Sequence, residues 1–474
     1  MKTLKQHSSE VRQISALIKQ FSKSPQSKKL RFFHGGTNST RIQDKKNYQL
    51  IDISHLSEVI EVNPLQKYAI VEPNVSMDKL VDITLKYNLI PPVVAEFPGI
   101  TCGGAINGAS LESSSFKFGQ FNDNCQEYEI VLGNGAIIKA SKKENKDIFY
   151  GISGAYGSLG LISLIKIELI TATKYVQTKY YPKRSVRQTI QLIKKLLQDK
   201  EIDYIEGIIY DSVSSVVITG KLVNSGNAAL RTYSKASDPW FYQKGKVISK
   251  QDKIYEERIP LKDYLFRYNR GAFWMGEYLL SLFHIKSNSL SKYLLTPFLN
   301  TRKLYDILHA VNSTQKYFIQ DIYCPFQKSL ELVKFNEKNL KIYPLWLCPV
   351  KATKQPQKLS PHYLNEDILL DIGIWGQTGH YLSNPLARNK ELEEFTKHNY
   401  SRKMLYAENY YSEAEFWSIY DNKWYELLRA KYDAESVFPD IWEKVHVSKR
   451  HKPQYIKGSI KVLLETIIGK NFNA

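Results

Sequence analysis

Cysteine is scarce in this chain. Its four copies, Cys102, Cys125, Cys324 and Cys348, stand far apart, with no CxxC and no histidine at ligand spacing. This argues against a disulfide framework or a zinc site and fits a reducing compartment; no metal is expected. Long apolar runs are missing too. No window of about 18 uncharged apolar residues occurs, so no membrane-spanning helix is expected. The opening residues 1–9 are polar with no apolar stretch behind them, which argues against a signal peptide and for a cytoplasmic protein. A GxxxxGK[ST] phosphate loop is absent. Acids are in deficit, with 47 Asp and Glu against 66 Lys and Arg, a formal charge of +19. The first fifty residues hold eleven of the bases against only Glu10 and Asp44. Such an excess suits nucleic acid, an anionic membrane or a phosphorylated cofactor, and equally a plain lysine-rich surface.

What is present is 474 residues, 43% of them hydrophobic, enough for two or three domains with their own cores. Glycine and serine concentrate in Thr101 to Phe121, TCGGAINGASLESSSFKFGQF, where four glycines, four serines and one acid, Glu112, share 21 residues. Too rich in glycine and serine for a helix and too polar for a buried strand, this run is expected to press bare backbone and short hydroxyls against a ligand. Two further Gly-rich turns lie at 34–41 and 151–160. Gly151, Gly154, Gly157 and Gly160 recur at regular threes, but an apolar strand follows them where a Rossmann fingerprint requires a helix. Three backbone nests converging on one ligand would suit a diphosphate-bridged dinucleotide.

Around these turns the pattern is mixed. Val11, Ile14, Ile18 and Phe21 predict an amphipathic opening helix, and YQLIDIS, EVIEVN and KYAIVEP predict strands. Ser76 is placed to cap a helix ending near Asn88, and Tyr128 to Ser141 reads as a hairpin on Gly133-Asn134-Gly135. Beyond a change of pattern at residues 171–174, a helix over 189–198, paired strands in IDYIEGIIYDSVSSVVITGKLV and core strands KIYPLWLCPV and ILLDIGIWG predict a second α+β unit. Residues 255–310 combine aromatic clusters with the amphipathic YLLSLFHIKSNSLSKYLLTPFL. Two readings stay open for them: a packed insertion over a substrate pocket, or a surface that dips into a lipid interface.

The order and spacing of HGGTNSTR, VEPNVSMDKLVDITLKYNLIPPV, TCGGAINGASLESSSFKFGQF and the turn before ISLIKIELI resemble flavin enzymes of the vanillyl-alcohol oxidase type. Within that group the likeness is to Δ24-sterol reductases. It extends through IYPLWLCP, LLDIGIWG and LYAENYYSEAEFWSIYD, about residues 10–445, with LESSSFKFG its most telling piece. The resemblance implies an α+β fold: a two-lobed PCMH-type FAD-binding domain, residues 1–172, and an α+β substrate domain, 173–402. A C-terminal segment, 403–474, would return to the flavin. It implies that Gly35, Gly36, Thr37, Asn38 and Ser39 hold the diphosphate. Gly103, Gly104, Ile106, Asn107, Gly108 and Ser113 would line the flavin, with Gly160 and Ile162 on the adenine side. Relatives that tether FAD covalently place a histidine after the two glycines; Thr37 stands there, so noncovalent FAD is expected. Phe116 replaces a histidine of the animal sterol reductases.

The activity implied is transfer of hydride from NADPH through FAD to a carbon–carbon double bond of a sterol or isoprenoid-like lipid. Glu112, with a pKa raised by burial, is expected to supply the accompanying proton. Lys117 would stabilise the reduced ring or pair with Glu112. Tyr406, with Tyr410 and Tyr411, would offer hydrogen bonds at the pocket, although tyrosines in an aromatic segment are commonly packing. An apolar small molecule is the expected substrate, with peripheral membrane contact and no nucleic acid. The alternative is a flavin dehydrogenase or oxidase of an alcohol on a sugar, polyol or lipid-linked sugar. A rival of another class is a basic, non-catalytic membrane- or nucleic-acid-binding protein.

Overall fold

In a computed structural model, the residues described are 2–23, 28–35, 39–41, 47–282, 284–286, 288–310, 317–377 and 384–448. Two antiparallel sheets dominate. A five-stranded sheet runs, edge to edge, Val59–Asn63, Tyr68–Val71, Leu161–Glu168, Cys125–Val131, Ile137–Ser141. The apolar LISLIKIE strand takes its centre. An eight-stranded sheet runs Tyr255–Pro260, Tyr175–Lys183, Ser214–Val223, Tyr204–Asp211, Leu345–Lys351, Ile368–Gln377, Tyr317–Pro325, Arg402–Lys403. Fold class α+β is as expected.

The period-2 alternation of the large sheet sorts its chemistry by face. Ile205, Ile209, Ile322, Leu345, Leu347, Leu370, Ile372 and Ile374 form an aliphatic core. The helices Val186–Leu196 and Phe326–Phe335 contribute Ile190, Ile193, Leu332 and Val333 to that same core. The opposite face carries Glu206, Asp321, Trp346, Asp371 and Trp375. Register places Asp321 and Trp346 across from Gly373, and Asp371 across from Tyr323 and Cys348. A Cβ on Gly373 would stand 2.7 Å from Asp321 Oδ1, so glycine there makes room for the acid.

The opening helix, Leu4–Ser22, buries Val11, Ile14, Ile18 and Phe21 as its spacing predicts. Its buried His7 lies 2.8 Å from Glu72 and 3.2 Å from Glu129. Burial opposes the imidazolium, but the bonds to Glu129 and Glu72 outweigh it and hold the pKa up at about 9. Residues beyond 403 return to the first half: Leu30 donates to Val437 O at 2.8 Å and Arg429 Nη1 to Ser158 O at 2.8 Å. The helical reading of the tail past residue 448 lies outside the described residues.

Two local expectations change. The composition of 101–121 predicts no helix, yet the run contains short helices at Cys102–Asn107 and Ser115–Phe118. Thr101 Oγ1 caps the first by accepting from Gly104 N at 3.2 Å, so a cap and tertiary contacts override poor propensity. Ser76 precedes the helix Met77–Thr84 but its hydroxyl donates to Asp78 instead of capping the backbone.

Candidate active site

A cavity of about 1260 Å³ lies where the three Gly-rich turns meet the polar face of the large sheet. Gly35 and Ser39 of the first turn line it, as do Thr101, Gly103, Gly104, Asn107 and Gly108 of the second and Tyr156, Gly157 and Gly160 of the third, with Ile162 behind it. Asn107 ties two of them together, donating to Gly103 O at 2.9 Å and accepting from Gly157 N at 2.7 Å. Gly103 packs so closely on Pro73 that an added Cβ would stand 2.8 Å from the proline Cβ. Of the expected diphosphate residues, Gly36, Thr37 and Asn38 lie outside the described residues.

The cavity changes character along its length. Arg31, Arg41 and Lys444 contribute cations to its lining. Burial first, and then the charges of Arg31 and Arg41, push Lys444 well below the usual lysine range. Burial likewise lowers Arg41, to about 10. Buried Arg41 and half-buried Arg31 and Lys444 repel one another and are relieved by an anion, and the bare glycine backbones allow close approach of a diphosphate. Elsewhere the lining is aromatic: Phe97, Phe273, Tyr305, Trp346 and Trp375. Phe273 meets Trp375 edge-on at 4.8 Å and Trp346 at 5.3 Å, and Phe97 meets Phe273 at 5.9 Å. With cations, bare glycine backbone and aromatic rings in one lining, these residues fit FAD: Arg31, Arg41 and Lys444 would hold its anionic part, and the aromatic side chains would take its ring and an apolar substrate.

Acids stand within that aromatic region. Asp321 lines the cavity and accepts from Tyr406 OH and from Trp375 Nε1 at 3.2 Å. Burial lifts its carboxyl to about 6, with those two hydrogen bonds pulling the other way. Tyr406 is itself anchored by the first Gly-rich turn, whose Ser39 Oγ and Thr40 N donate to its carbonyl at 2.9 and 3.2 Å. Glu96 also lines the cavity, and its Oε1 is buried with no hydrogen-bond partner among the described residues. Burial, reinforced by the charge of Glu112, raises Glu96 far above the carboxylate range. Outside the lining, Asp371, whose two carboxyl oxygens are buried without partners among the described residues, is raised by burial and then by Asp321 and Glu96.

Glu112 is fully buried behind the cavity wall, not in it. Its carboxylate accepts from Arg267 Nη2 at 2.9 Å, Ser113 Oγ at 2.7 Å and Ser114 N at 2.8 Å. Arg267 in turn reaches Glu206 at 3.0 Å. Ser113 serves this network, and Ile106 packs into the core without lining the cavity. Lys117 pairs with Asp203 at 2.9 Å and approaches neither Glu112 nor the cavity. Tyr410 donates to Glu408, and Tyr411 is packed in the core. Of the three expected catalytic residues only Tyr406 reaches the cavity. Asp321, and Asp371 behind the lining, carry one signal in the sequence: each interrupts a largely apolar strand, YFIQDIYCP and ILLDIGIWGQ.

Comparison with known proteins agrees with this geometry. The family described as FAD binding domain matches residues 7–141. The chain is 29% identical over 423 residues to the Delta(24)-sterol reductase of Homo sapiens, covering 86% of this chain and 79% of that one. It is 29% identical over 437 residues to the Delta(24)-sterol reductase of Arabidopsis thaliana, covering 83% and 76%. Cytokinin dehydrogenase 9 of Oryza sativa subsp. japonica is 27% identical over only 168 residues, 35% of this chain and 31% of that one. The chain therefore carries a PCMH-type FAD-binding domain and is, over most of its length, a homologue of the Delta(24)-sterol reductases.

Proposed function

We propose that this protein is an FAD-dependent reductase that adds hydrogen across a carbon–carbon double bond of a sterol or isoprenoid-like lipid, with NADPH as electron donor and FAD held noncovalently. Relatives named as sterol reductases support the reaction class. The observation that carries the reading is the Asp321–Tyr406 pair set among the aromatic lining of a glycine-lined cavity. FAD, when bound and reduced, supplies hydride to one alkene carbon; the other must receive a proton. Tyr406 Oη holds that proton at the cavity wall. With Asp321 in its acid form the hydrogen bond runs the other way, from the carboxyl to Tyr406 Oη, which frees the phenol O–H for the alkene; as that O–H bond breaks and a C–H bond forms, Asp321 returns its proton to Tyr406 Oη, so charge does not build up on the phenol. Phe97, Phe273, Trp346 and Trp375 exclude water and orient the apolar ligand.

The test begins with the purified protein. Acid precipitation is expected to leave the flavin in the supernatant. Anaerobic NADPH is expected to bleach the visible flavin absorbance with no alcohol present, and a lipid with an isolated double bond to restore it. Bleaching by an alcohol and not by NADPH would overturn the reductase reading in favour of a dehydrogenase. Colour retained by the pellet would overturn noncovalent binding, and a colourless protein that takes up no FAD would remove the flavin altogether.

A further inference from the structure

The insertion that helps wall the cavity has an outward face that the reaction does not use. Leu290, Tyr293 and Leu294, at i, i+3 and i+4 of the helix Ser289–Leu295, are 67%, 55% and 62% exposed. The helix is well fixed. A capping box joins Asn288 and Ser291, with Asn288 Oδ1 accepting from Ser291 N at 2.9 Å. On the inner side Leu295 packs against the core, and Lys292 Nζ lies 4.9 Å from the Trp240 ring. The exposed trio thus lies on a helix held by a capped start and by inner-side contacts of Leu295 and Lys292.

Its surroundings are basic. Lys286 and Lys292 lie on either side of the trio in sequence, whereas farther along Arg302 is paired with Asp78 at 2.7 Å and Lys303 with Asp306 at 3.6 Å. Lys286 adjoins the helix start, its carbonyl accepting from Ser291 Oγ at 2.7 Å. The same segment continues into the cavity wall. Leu299 O accepts from Gly271 N at 2.7 Å, and the following helix, Thr301–Ala310, places Arg302, Tyr305 and Asp306 in the cavity lining.

We infer that Leu290, Tyr293 and Leu294, with Lys286 beside them, form a docking surface for a bilayer containing anionic lipid. Two aliphatic anchors, an amphipathic tyrosine and an exposed lysine beside them are the elements of an interfacial helix. Three side chains fall well short of the ~800 Å² per partner that a stable protein interface needs, which disfavours a second copy. The overall +19 charge favours the same partner. In combination with the proposed function, on which this last step rests, docking sets the cavity close to the bilayer that holds an apolar substrate.

The experiment is co-sedimentation of the FAD-loaded full chain with vesicles of phosphatidylcholine alone and of phosphatidylcholine with phosphatidylserine. The wild type is expected to pellet with the mixed vesicles and to be released by salt. The double variant Leu290→Asp/Leu294→Asp is expected to lose at least fivefold of the pelleted fraction, with flavin content and NADPH bleaching unchanged. Lys286→Glu, which leaves the apolar face intact, is expected to weaken binding to the mixed vesicles only. Wild-type protein that stays in the supernatant, or a double variant that pellets as the wild type does, overturns the proposal. A wild-type dimer that the double variant splits, seen by light scattering, reassigns the face to self-association. Because binding is read without turnover, loss of docking is distinguishable from failure of the reductase reading.

Discussion

Asp321 stands where two influences compete. Burial favours its neutral form, while hydrogen bonds from Tyr406 and Trp375 favour the carboxylate, and the balance lies at about 6 instead of the usual carboxylate value. The sign of its pH dependence follows directly. On the proposed reaction, below about 6 the group holds the proton that the alkene is to receive; as pH rises through that value the proton leaves and turnover is expected to slow. Asp321→Asn is expected to lower kcat by roughly 10²–10⁴-fold and to abolish that limb of the pH profile. Reduction of the flavin by NADPH, which needs no such proton, should keep its rate in stopped-flow measurements. An Asn variant that retains the limb assigns the titration to another group. The sequence pointed to Tyr406 but not to its partner, because a lone aspartate in a strand has no motif. Only the sheet register, which sets Asp321 over Gly373, turns it toward the cavity.

The second Gly-rich turn works as one element. Its glycines were legible because backbone exposure to a ligand has a compositional signature, and Gly103, Gly104, Asn107 and Gly108 all reach the cavity. Its helical turn was not legible, because the cap and the contact with Pro73 that hold it come from tertiary structure. Gly103 N donates to Pro73 O at 2.8 Å, and an added methyl would stand 3.1 Å from that oxygen and closer still to the ring. Gly103→Ala must therefore displace one wall of the cavity, at about 1–3 kcal/mol for an overpacked site. If that strain falls on the bound state, FAD affinity drops roughly 5–150-fold, since about 1.4 kcal/mol is tenfold. Titration of the apoprotein with FAD measures this directly. Unchanged affinity with a lowered melting temperature would show that the strain is absorbed away from the cofactor.

At the scale of the whole molecule, Arg267 joins the two halves. It binds Glu112 from the Gly- and Ser-rich run at 2.9 Å and Glu206 from the large sheet at 3.0 Å, all three fully buried. Trp346 Nε1 and Tyr268 OH donate to Glu206 at 2.8 and 3.0 Å, so both carboxylates are well provided with donors. The serine-dense LESSSFKFG of the sequence thus marks a joint, and its partner could not be read because 155 residues separate Arg267 from Glu112. A joint and a proton donor make different demands on Glu112. Glu112→Gln leaves Arg267 with one carboxylate for its buried charge, and breaking such an arrangement costs about 3–5 kcal/mol. With an unfolding entropy of roughly 2 cal/mol/K per residue, a chain of this length should lose about 3–5 °C in melting temperature. Reduction by NADPH and the pH limb near 6 should survive in the folded fraction, and Arg267→Leu, which strands two carboxylates, should be worse tolerated. A Glu112→Gln variant with wild-type melting and abolished turnover would return Glu112 to the chemistry and displace Asp321 from it.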